Sequence, residues 1–407
     1  MATTFFTVAA LFCCFAKVCL SYTFADENPI RLVSDHSSGN YNLADPYVSS
    51  VVVKIEISFA IDPRDFGVNA LYQFGDSISD TGNLIRVDPS NCCGKWPYGE
   101  TFFQKPTGRC SDGLLMIDYF AEFLNIPMLD PYLNKDGNFT HGVNFAVSGS
   151  TAVDVFTLEE TYSLPASTNL SLSVQLEWFK SHIQSFYPNI SERRNKLAKG
   201  LFFMGEIGGN DIFFGFSKGI TLPNIHNIMS LVIQAIRKAV EEIIDLGATQ
   251  IVIPGNFPIG CMPVFLNLFK TDDSNMYDEL KCLRNFNSHA QFYNDQLQQT
   301  IKELQNNHSN VTIVYMDYFG ALQEILQHAA LLGFDENALK QACCGPRDNK
   351  YNVNMDLSCG SEGAVLCENP RDHISWDGLH FTQQTYHIMA KKLMPSLFSA
   401  LRNVAYT

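Results

Sequence analysis

The chain has 407 residues, of which 46% are hydrophobic, 12% aromatic and 17% charged. A chain of this composition can bury a sizeable core, which excludes wholesale disorder and collagen-like repeats. Its 42 acidic residues outnumber its 28 Lys and Arg residues and give a net charge of -14. Because this charge repels polyphosphates, it argues against a nucleic-acid partner. Length alone predicts about two to three domains.

The N-terminus resembles a secretory signal peptide. Residues 1–21 are rich in Phe, Ala, Val, Leu and Cys, and Lys17 is their only charge. The apolar run is too short and too interrupted to span a bilayer. We therefore expect no stable membrane insertion and a secreted, extracellular protein, with the cell wall and the vacuole left open as destinations. Residues 22–68 form an N-terminal extension of unknown role, in which Val51–Ile57 alternates like an edge strand.

Cysteines and glycosylation acceptors agree with export. Twelve cysteines are present, and removing the three in residues 1–21 leaves nine, so at least one thiol is free or pairs between chains. Cys343, Cys344, Cys359 and Cys367 lack the paired C-x2-C spacing of zinc sites, which favours disulfides over a metal. The Asn-x-Ser/Thr acceptor pattern occurs at Asn138, Asn169, Asn189, Asn307 and Asn310.

From Ala70 onward, short apolar segments alternate with helical patterns. The apolar segments predict buried strands at 71–74, 201–204, 250–253 and 312–316. Apolar residues that recur at spacings of three and four positions predict helices over 111–124, 225–246, 285–304 and 382–401. The alternation predicts an α/β fold, a three-layer α/β/α sandwich with a central, mainly parallel sheet, in a single domain over residues 69–407.

Two serines are candidate nucleophiles. Ser77 comes just after the first predicted strand, and ligands of open α/β sheets bind beyond the carboxyl ends of the strands. The alternative is that Gly75-Asp76-Ser77 caps a helix. Ser217 lies in a G-x-S-x-G pattern, but that motif requires a helix directly after the serine, and Pro223 indicates a loop. The match at Ser217 is interpreted as a coincidence.

Asp377 and His380 form a candidate acid and base pair. Positions three apart on a helical turn face the same way, so the carboxylate can accept a hydrogen bond from Nδ1 and leave Nε2 free as a base. The alternative is a surface turn with a helix-capping Asp. His373, with Asp372 beside it, is the second candidate base.

Four segments resemble, in order, the blocks of the GDSL, or SGNH, esterase/lipase family: Phe74–Ser77, Gly142–Ala146, Gly208–Asp211 and Asp377–His380. The resemblance runs from about Ala70 to the C-terminus and implies an SGNH-hydrolase, flavodoxin-like sheet. Segments 97–103, 106–113 and 258–261 are similar to the plant branch, and within it to the acetylajmalan esterase and sinapine esterase type. Two departures are Leu114, where the family usually has Arg, and the nearly fifty residues that precede the first block.

The resemblance implies a role for each candidate residue. Ser77 is the nucleophile, His380 the general base and Asp377 its orienting partner. The backbone N–H groups of Ser77 and Gly142 and the side-chain amide of Asn210 form the oxyanion hole, for which a neutral carboxamide is a suitable donor. No metal or organic cofactor is required.

Simpler roles remain open for three residues. Asn144 can bond the backbone of its own turn, Gly142 can be a turn glycine, and Asp211 can cap a helix.

We expect a monomeric serine esterase that hydrolyses small acylated plant metabolites with acetyl or other short or aromatic acyl groups. Its partner is a small-molecule ester. The same residues can instead pass the acyl group to an alcohol, which would make the protein an acyltransferase. A third possibility is a secreted binding glycoprotein that has lost the chemistry, although the complete residue set argues against it. Action on long-chain fat is less favoured, because no amphipathic surface segment indicates a lid.

Overall fold

The computed structural model describes residues 67–405. The predicted signal peptide and most of the predicted extension, including Val51–Ile57, lie outside the described residues. The described residues belong to one compact unit. Within residues 67–405, no helix has the length and apolarity needed to cross a membrane.

A parallel sheet of five strands forms the centre of the fold, in the order β2-β1-β3-β4-β5. The four predicted strands are confirmed, and β2 is an additional strand that the sequence did not predict. Three residues are too few for a periodicity signal, and a glycine at the first position hides it further. The strands are β1 (Ala70–Phe74), β2 (Gly142–Asn144), β3 (Gly200–Met204), β4 (Gln250–Pro254) and β5 (Thr312–Met316).

Helices connect these strands and extend beyond β5. The four predicted helices are present, but the one predicted over 111–124 begins only at Met116. The helices are α1 (Leu84–Val87), α2 (Met116–Phe123), α3 (Val155–Tyr162), α4 (Leu172–Phe186), α5 (Ile190–Leu197), α6 (Gly209–Ser217), α7 (Leu222–Leu246), α8 (Pro263–Leu268), α9 (Arg284–Asn307), α10 (Tyr318–Gln327) and α11 (Gln383–Ala405). A short antiparallel pair, β6 (Cys344–Gly345) and β7 (Val365–Leu366), lies between α10 and α11.

The helices pack in two groups around the sheet. Helix α7 contacts both α4 and α9, and α11 contacts both α2 and α10. Both α9 and α11 also contact β5. This arrangement confirms the predicted three-layer α/β/α sandwich. It has the 2-1-3-4-5 strand order of flavodoxin-like sheets.

The strand order determines where a ligand can bind. The chain crosses from β2 on one side of β1 to β3 on the other, and doubly wound sheets bind ligands in the crevice at such a reversal. Ser77 follows β1, Asn210 follows β3 and Asn256 follows β4. These three residues therefore lie at the same carboxyl edge of the sheet.

Candidate active site

Ser77, His380 and Asp377 form a continuous hydrogen-bonded chain. The Ser77 Oγ lies 2.7 Å from His380 Nε2, although the two residues are 303 positions apart. The other ring nitrogen, Nδ1, lies 2.7 Å from Asp377 Oδ2. Ser77 and His380 are nearly buried, with 7% and 9% of their surface exposed. The arrangement matches a nucleophile, a base and the carboxylate that orients the base.

Asp377 reaches His380 from a bend rather than from the predicted helical turn. The Asp377 Oδ1 accepts the backbone N–H groups of Leu379 and His380 at 3.1 and 2.8 Å. These two bonds close the bend and leave Oδ2 for the imidazole. The spacing of three residues therefore brings the two side chains together through the side chain of Asp377 and not through a helix.

Charge pairing determines the protonation of the Asp377 and His380 side chains. Burial alone would raise the pKa of Asp377, but the interaction with His380 and the hydrogen bonds it accepts lower that pKa to about 2. Burial alone would lower the pKa of His380, but the Asp377 carboxylate outweighs it and raises the pKa above its ordinary value. An ionised Asp377 thus stabilises an imidazolium, which is what a base must become during proton transfer.

Ser77 lies in a turn, and α1 begins only at Leu84, so Ser77 is not a helix cap. Gly75 makes the close exit from β1 possible, because a Cβ there would lie 2.7 Å from the Glu206 carbonyl oxygen. The Gln175 side chain accepts from the Gly75 N–H at 2.9 Å and donates to the Gly75 carbonyl at 2.8 Å. These contacts hold the backbone that presents the serine.

Asn144 connects the segment after β2 to the turn that carries Ser77. Its Oδ1 accepts the Ala146 N–H at 2.9 Å, and its Nδ2 donates to the Ser79 carbonyl at 2.6 Å. The structural role that the sequence left open for Asn144 is therefore the one observed. Asp211 does not cap a helix in the predicted way. It accepts the N–H groups of Ala152 and Val153 at 2.9 and 3.0 Å and so braces the segment after β2.

Asn210 lies at the start of α6, beside Asp76, the residue before Ser77. Its Nδ2 donates to the Ser150 carbonyl at 2.8 Å and to Asp76 Oδ2 at 3.2 Å. The longer contact is the weaker of the two, so an oxyanion near Ser77 can compete for that hydrogen. The geometry is compatible with the predicted donor role of Asn210.

Gly142 is not brought to this group. It is the first residue of β2, where it pairs with Leu71, and its N–H donates to the Phe139 carbonyl at 3.3 Å. A Cβ at Gly142 would lie 1.7 Å from the Leu71 carbonyl oxygen, so the glycine serves close strand packing. These contacts correct the prediction that Gly142 supplies an oxyanion donor.

Gly149, three residues beyond the second block, is a glycine that comes near the site. It precedes Ser150, whose carbonyl accepts from Asn210, and its φ of +79° belongs to the left-handed region that favours glycine. Within residues 67–405, neither Gly149 N–H nor Ser77 N–H has an acceptor. Gly149 follows β2 as Ser77 follows β1, a signal that becomes usable only once β2 is known as a strand.

Tyr98 is a contact of the Asp377 side chain that sequence reasoning did not find. Its hydroxyl donates to Asp377 Oδ2 at 2.9 Å, and only 1% of the residue is exposed. Burial, with Asp377 beside it, raises the pKa of Tyr98 well above its ordinary value, so the hydroxyl stays protonated. Tyr98 lies 279 positions before Asp377, and no local pattern could connect them.

Disulfides surround the segment that carries Asp377. Three bridges, together with Tyr98 and Trp376, form one buried cluster. The Cys344 N–H donates to the Trp376 carbonyl at 2.7 Å, directly before Asp377. The preference for disulfides over zinc is confirmed, and Cys92 is the free thiol among residues 67–405. The bridges are Cys93–Cys110, Cys261–Cys282, Cys343–Cys367 and Cys344–Cys359.

The two rival residues lie elsewhere. Ser217 is the exposed last residue of α6, with no strand before it, so it does not form a nucleophile elbow. His373 contacts Thr382 through its backbone and has no contact with Ser77. Within the described residues, one group of three potential metal ligands occurs, Cys343, Cys367 and His373, and its two sulfurs are joined in a disulfide.

An open cleft lies beside Ser77. Its walls come mainly from the turn that carries Ser77, from α6, from the segment after β4, and from α8. Polar atoms are supplied by Asp76, Glu206, Asn210 and Asn256, and the rest of the lining is largely apolar. The apolar residues are Ile78, Ile212, Phe213, Phe257, Ile259, Met262, Phe265 and Leu379.

Residues 71–393 match the family model of GDSL-like lipases and acylhydrolases. The chain belongs to this family. Acetylajmalan esterase 1 of Rauvolfia serpentina is 39% identical over 337 residues, which cover 82% of this chain and 88% of the relative. A GDSL esterase/lipase of Arabidopsis thaliana is 38% identical over 353 residues, 86% of this chain and 87% of the relative. This GDSL protein is therefore a carboxylic ester hydrolase.

Proposed function

We propose that the protein is a secreted serine esterase in which Ser77 is the nucleophile, His380 the general base and Asp377 the group that orients the base. The observation that carries the proposal is the hydrogen-bonded chain from Ser77 Oγ through both nitrogens of His380 to Asp377 Oδ2. Such a chain can remove the serine proton as the oxygen attacks a carbonyl.

The proposed cycle is acyl transfer to water. Ser77 attacks the ester carbonyl while His380 Nε2 takes its proton, and the imidazolium then protonates the departing alcohol. Water, deprotonated by His380, attacks the acyl-enzyme and releases the carboxylic acid. The oxyanion of each tetrahedral intermediate accepts hydrogen bonds from Ser77 N–H and Asn210 Nδ2. We propose Gly149 N–H as the third donor, because it is unpaired within residues 67–405 and lies beside Ser150.

The proposed substrates are small acylated metabolites with short or aromatic acyl groups. The largely apolar walls of the cleft beside Ser77 suit a short alkyl or aromatic group. The similarity to acetylajmalan esterases supports an acetyl ester of a small molecule. Charged groups on the substrate would be disfavoured, since few polar groups line the cleft to replace the hydrogen bonds that those groups make with water.

We propose secretion on two further observations. The four disulfides within residues 67–405 are typical of an oxidising compartment. All five predicted glycosylation acceptors are exposed, as glycan attachment requires: Asn138, Asn169, Asn189, Asn307 and Asn310.

The test is hydrolysis of a panel of acetyl, butyryl, octanoyl and hydroxycinnamoyl esters by the wild type and two serine variants. We expect Ser77→Ala to abolish turnover of every ester the wild type accepts. Ser217→Ala is the matched control, because it removes the exposed serine of the G-x-S-x-G segment, and its turnover should equal that of the wild type. Full activity of Ser77→Ala would overturn the proposal.

A further inference from the structure

Glu206 is a buried acid that the proposed cycle does not use. It follows β3, lines the same cleft as Ser77 and is 4% exposed. Its carboxyl group lies under the start of α6, since a Cβ built on Gly209 would lie 3.1 and 3.3 Å from its two oxygens. Its carbonyl oxygen accepts the Asp76 N–H at 3.2 Å. Glu206 thus contacts both the segment of Asn210 and the segment of Ser77.

The side chains of Glu206 and Asp76 are close enough for each to shift the pKa of the other. Two carboxyl groups this close can share a hydrogen bond only when one of them carries a proton. Asp76 accepts the Ile78 N–H at 3.0 Å and the Asn210 Nδ2 at 3.2 Å, so an ionised Asp76 has two donors. Glu206 Oε1 is buried and has no hydrogen-bond partner within residues 67–405, so an ionised Glu206 would have no donor at that oxygen. The proton therefore belongs on Glu206, with Asp76 as its acceptor.

The pKa values of both carboxyl groups agree with this assignment of the proton. Burial, and then the charge of Asp76, raise the pKa of Glu206 well above its ordinary value. Burial raises the pKa of Asp76, but the N–H of Ile78 and the charge of His380 oppose that rise. Two buried carboxylates side by side would repel each other strongly, so the pair keeps one proton near neutral pH.

We propose that Glu206 is a positioning residue that donates its carboxylic acid proton to Asp76 and so holds Asp76 and Asn210 in place with one negative charge, not two, beside the oxyanion site. This proposal rests on the proposed function of Ser77 and Asn210. A second negative charge would oppose the oxyanion, which exists only in the transition state and the tetrahedral intermediates. Loss of the Glu206 proton should therefore lower kcat and change KM little.

Other titratable groups face Glu206 and Asp76, and the pKa shift of each indicates whether it can contribute to the pH profile. Asp211 lies close to Glu206, and burial raises its pKa to about 7. Tyr293 and Tyr318 face Glu206 from α9 and α10, and burial raises the pKa of both far above neutral. His380 faces Asp76 and titrates on the acid side of the profile. Glu206 and Asp211 are thus the candidates for a loss of activity as the pH rises.

The test compares pH profiles of kcat and KM between pH 5 and 10 for the wild type and three variants. Wild-type kcat should fall at alkaline pH as Glu206 loses its proton. Glu206→Gln keeps a donor to Asp76 that cannot titrate, so its kcat should lie within about threefold of the wild type at pH 7 and show no alkaline fall. Glu206→Leu has no donor, and its kcat should be about tenfold lower or more with little change in KM. Asp211→Asn is the control for a neighbouring buried acid and should keep the alkaline fall.

Three outcomes would overturn the proposal. One is a Glu206→Gln variant as slow as Glu206→Leu, since the donated hydrogen would then not matter. Another is an unchanged alkaline fall in Glu206→Gln, and the third is its disappearance in Asp211→Asn alone. Circular dichroism and labelling of Ser77 by an organophosphate show whether each variant is folded. Activity of Ser77→Ala would contradict the proposed function instead, so the two failures are distinguishable.

Discussion

The Tyr98 hydroxyl and the His380 imidazole share one oxygen of Asp377. Tyr98 donates to Oδ2 at 2.9 Å and His380 Nδ1 lies 2.7 Å from the same atom. The other carboxylate oxygen is occupied by two backbone N–H groups, so every position around this buried carboxylate has a donor. Tyr98 therefore restricts rotation of the Asp377 carboxylate. It also weakens the attraction of that carboxylate for the His380 imidazolium.

Tyr98→Phe should lower kcat roughly tenfold, because a hydrogen bond to a charged group is lost. With one donor fewer, Asp377 attracts the imidazolium more strongly, which raises the pKa of His380. The acid side of the kcat/KM profile should therefore move to higher pH. Tyr119→Phe is the matched control, since the Tyr119 hydroxyl makes only a 3.5 Å contact with the Gln383 carbonyl away from the site. An unchanged profile in Tyr98→Phe would show that the contact has no part in turnover.

Activity should be lost as the pH falls through the pKa of His380. The base must be neutral to accept the serine proton, and Asp377 raises its pKa above 6.5. The midpoint of kcat/KM on the acid side should therefore lie above pH 6.5, with activity present above it and absent below it.

Asp377→Asn should move that midpoint below pH 6.5, because burial then acts on His380 without the carboxylate. The same change should lower kcat by about a thousandfold or more. Asp372→Asn, beside the alternative base His373, should leave the midpoint in place. A midpoint that does not move in Asp377→Asn would show that another group titrates on the acid side.

Local sequence signals located the parts of the site that depend on strand ends and short spacings. Ser77 follows a short apolar run that predicts a strand, and Asp377 and His380 are three positions apart. The bend that joins them differs from the predicted helical turn, yet it brings the same atoms together because the Asp377 side chain closes it.

Contacts between segments that are distant in the sequence could not be predicted from strand ends and short spacings. Glu206 and Asp76 are 130 positions apart, and neither residue type indicates that their carboxyl groups meet. The donor role of Gly142 was implied by the match to the second family block, and a three-residue strand gives no periodicity that separates its start from the loop after it. Tertiary packing, not composition or spacing, decides both cases.

The disulfide Cys344–Cys359 should contribute about 3 kcal/mol to the free energy of unfolding, because it closes a loop of 15 residues. Chemical unfolding of the double variant Cys344→Ser/Cys359→Ser measures this loss. The variant should also have a lower kcat, since the Cys344 N–H bonds the Trp376 carbonyl next to Asp377. Cys92→Ser removes the free thiol and should change the unfolding free energy by less than about 0.5 kcal/mol. Equal stability of both variants would contradict the prediction.

Arg109 forms a buried, two-pronged ion pair with Asp118 in the first turn of α2, with contacts of 2.8 Å from Nε and 2.7 Å from Nη2. The two side chains are 7% and 0% exposed. Arg109→Met should lower the unfolding free energy by about 3–5 kcal/mol, because it leaves a buried carboxylate without its partner.

Adding Asp118→Asn to Arg109→Met tests this cause. The amide removes the unpaired charge and keeps an oxygen for the Leu115 N–H, which Asp118 accepts at 2.8 Å. The double variant should therefore recover a large part of the lost stability in urea unfolding. If it is no more stable than Arg109→Met, the cost comes from lost packing of the Arg109 side chain, which lies over the Phe103 ring at 4.7 Å, and not from the buried charge.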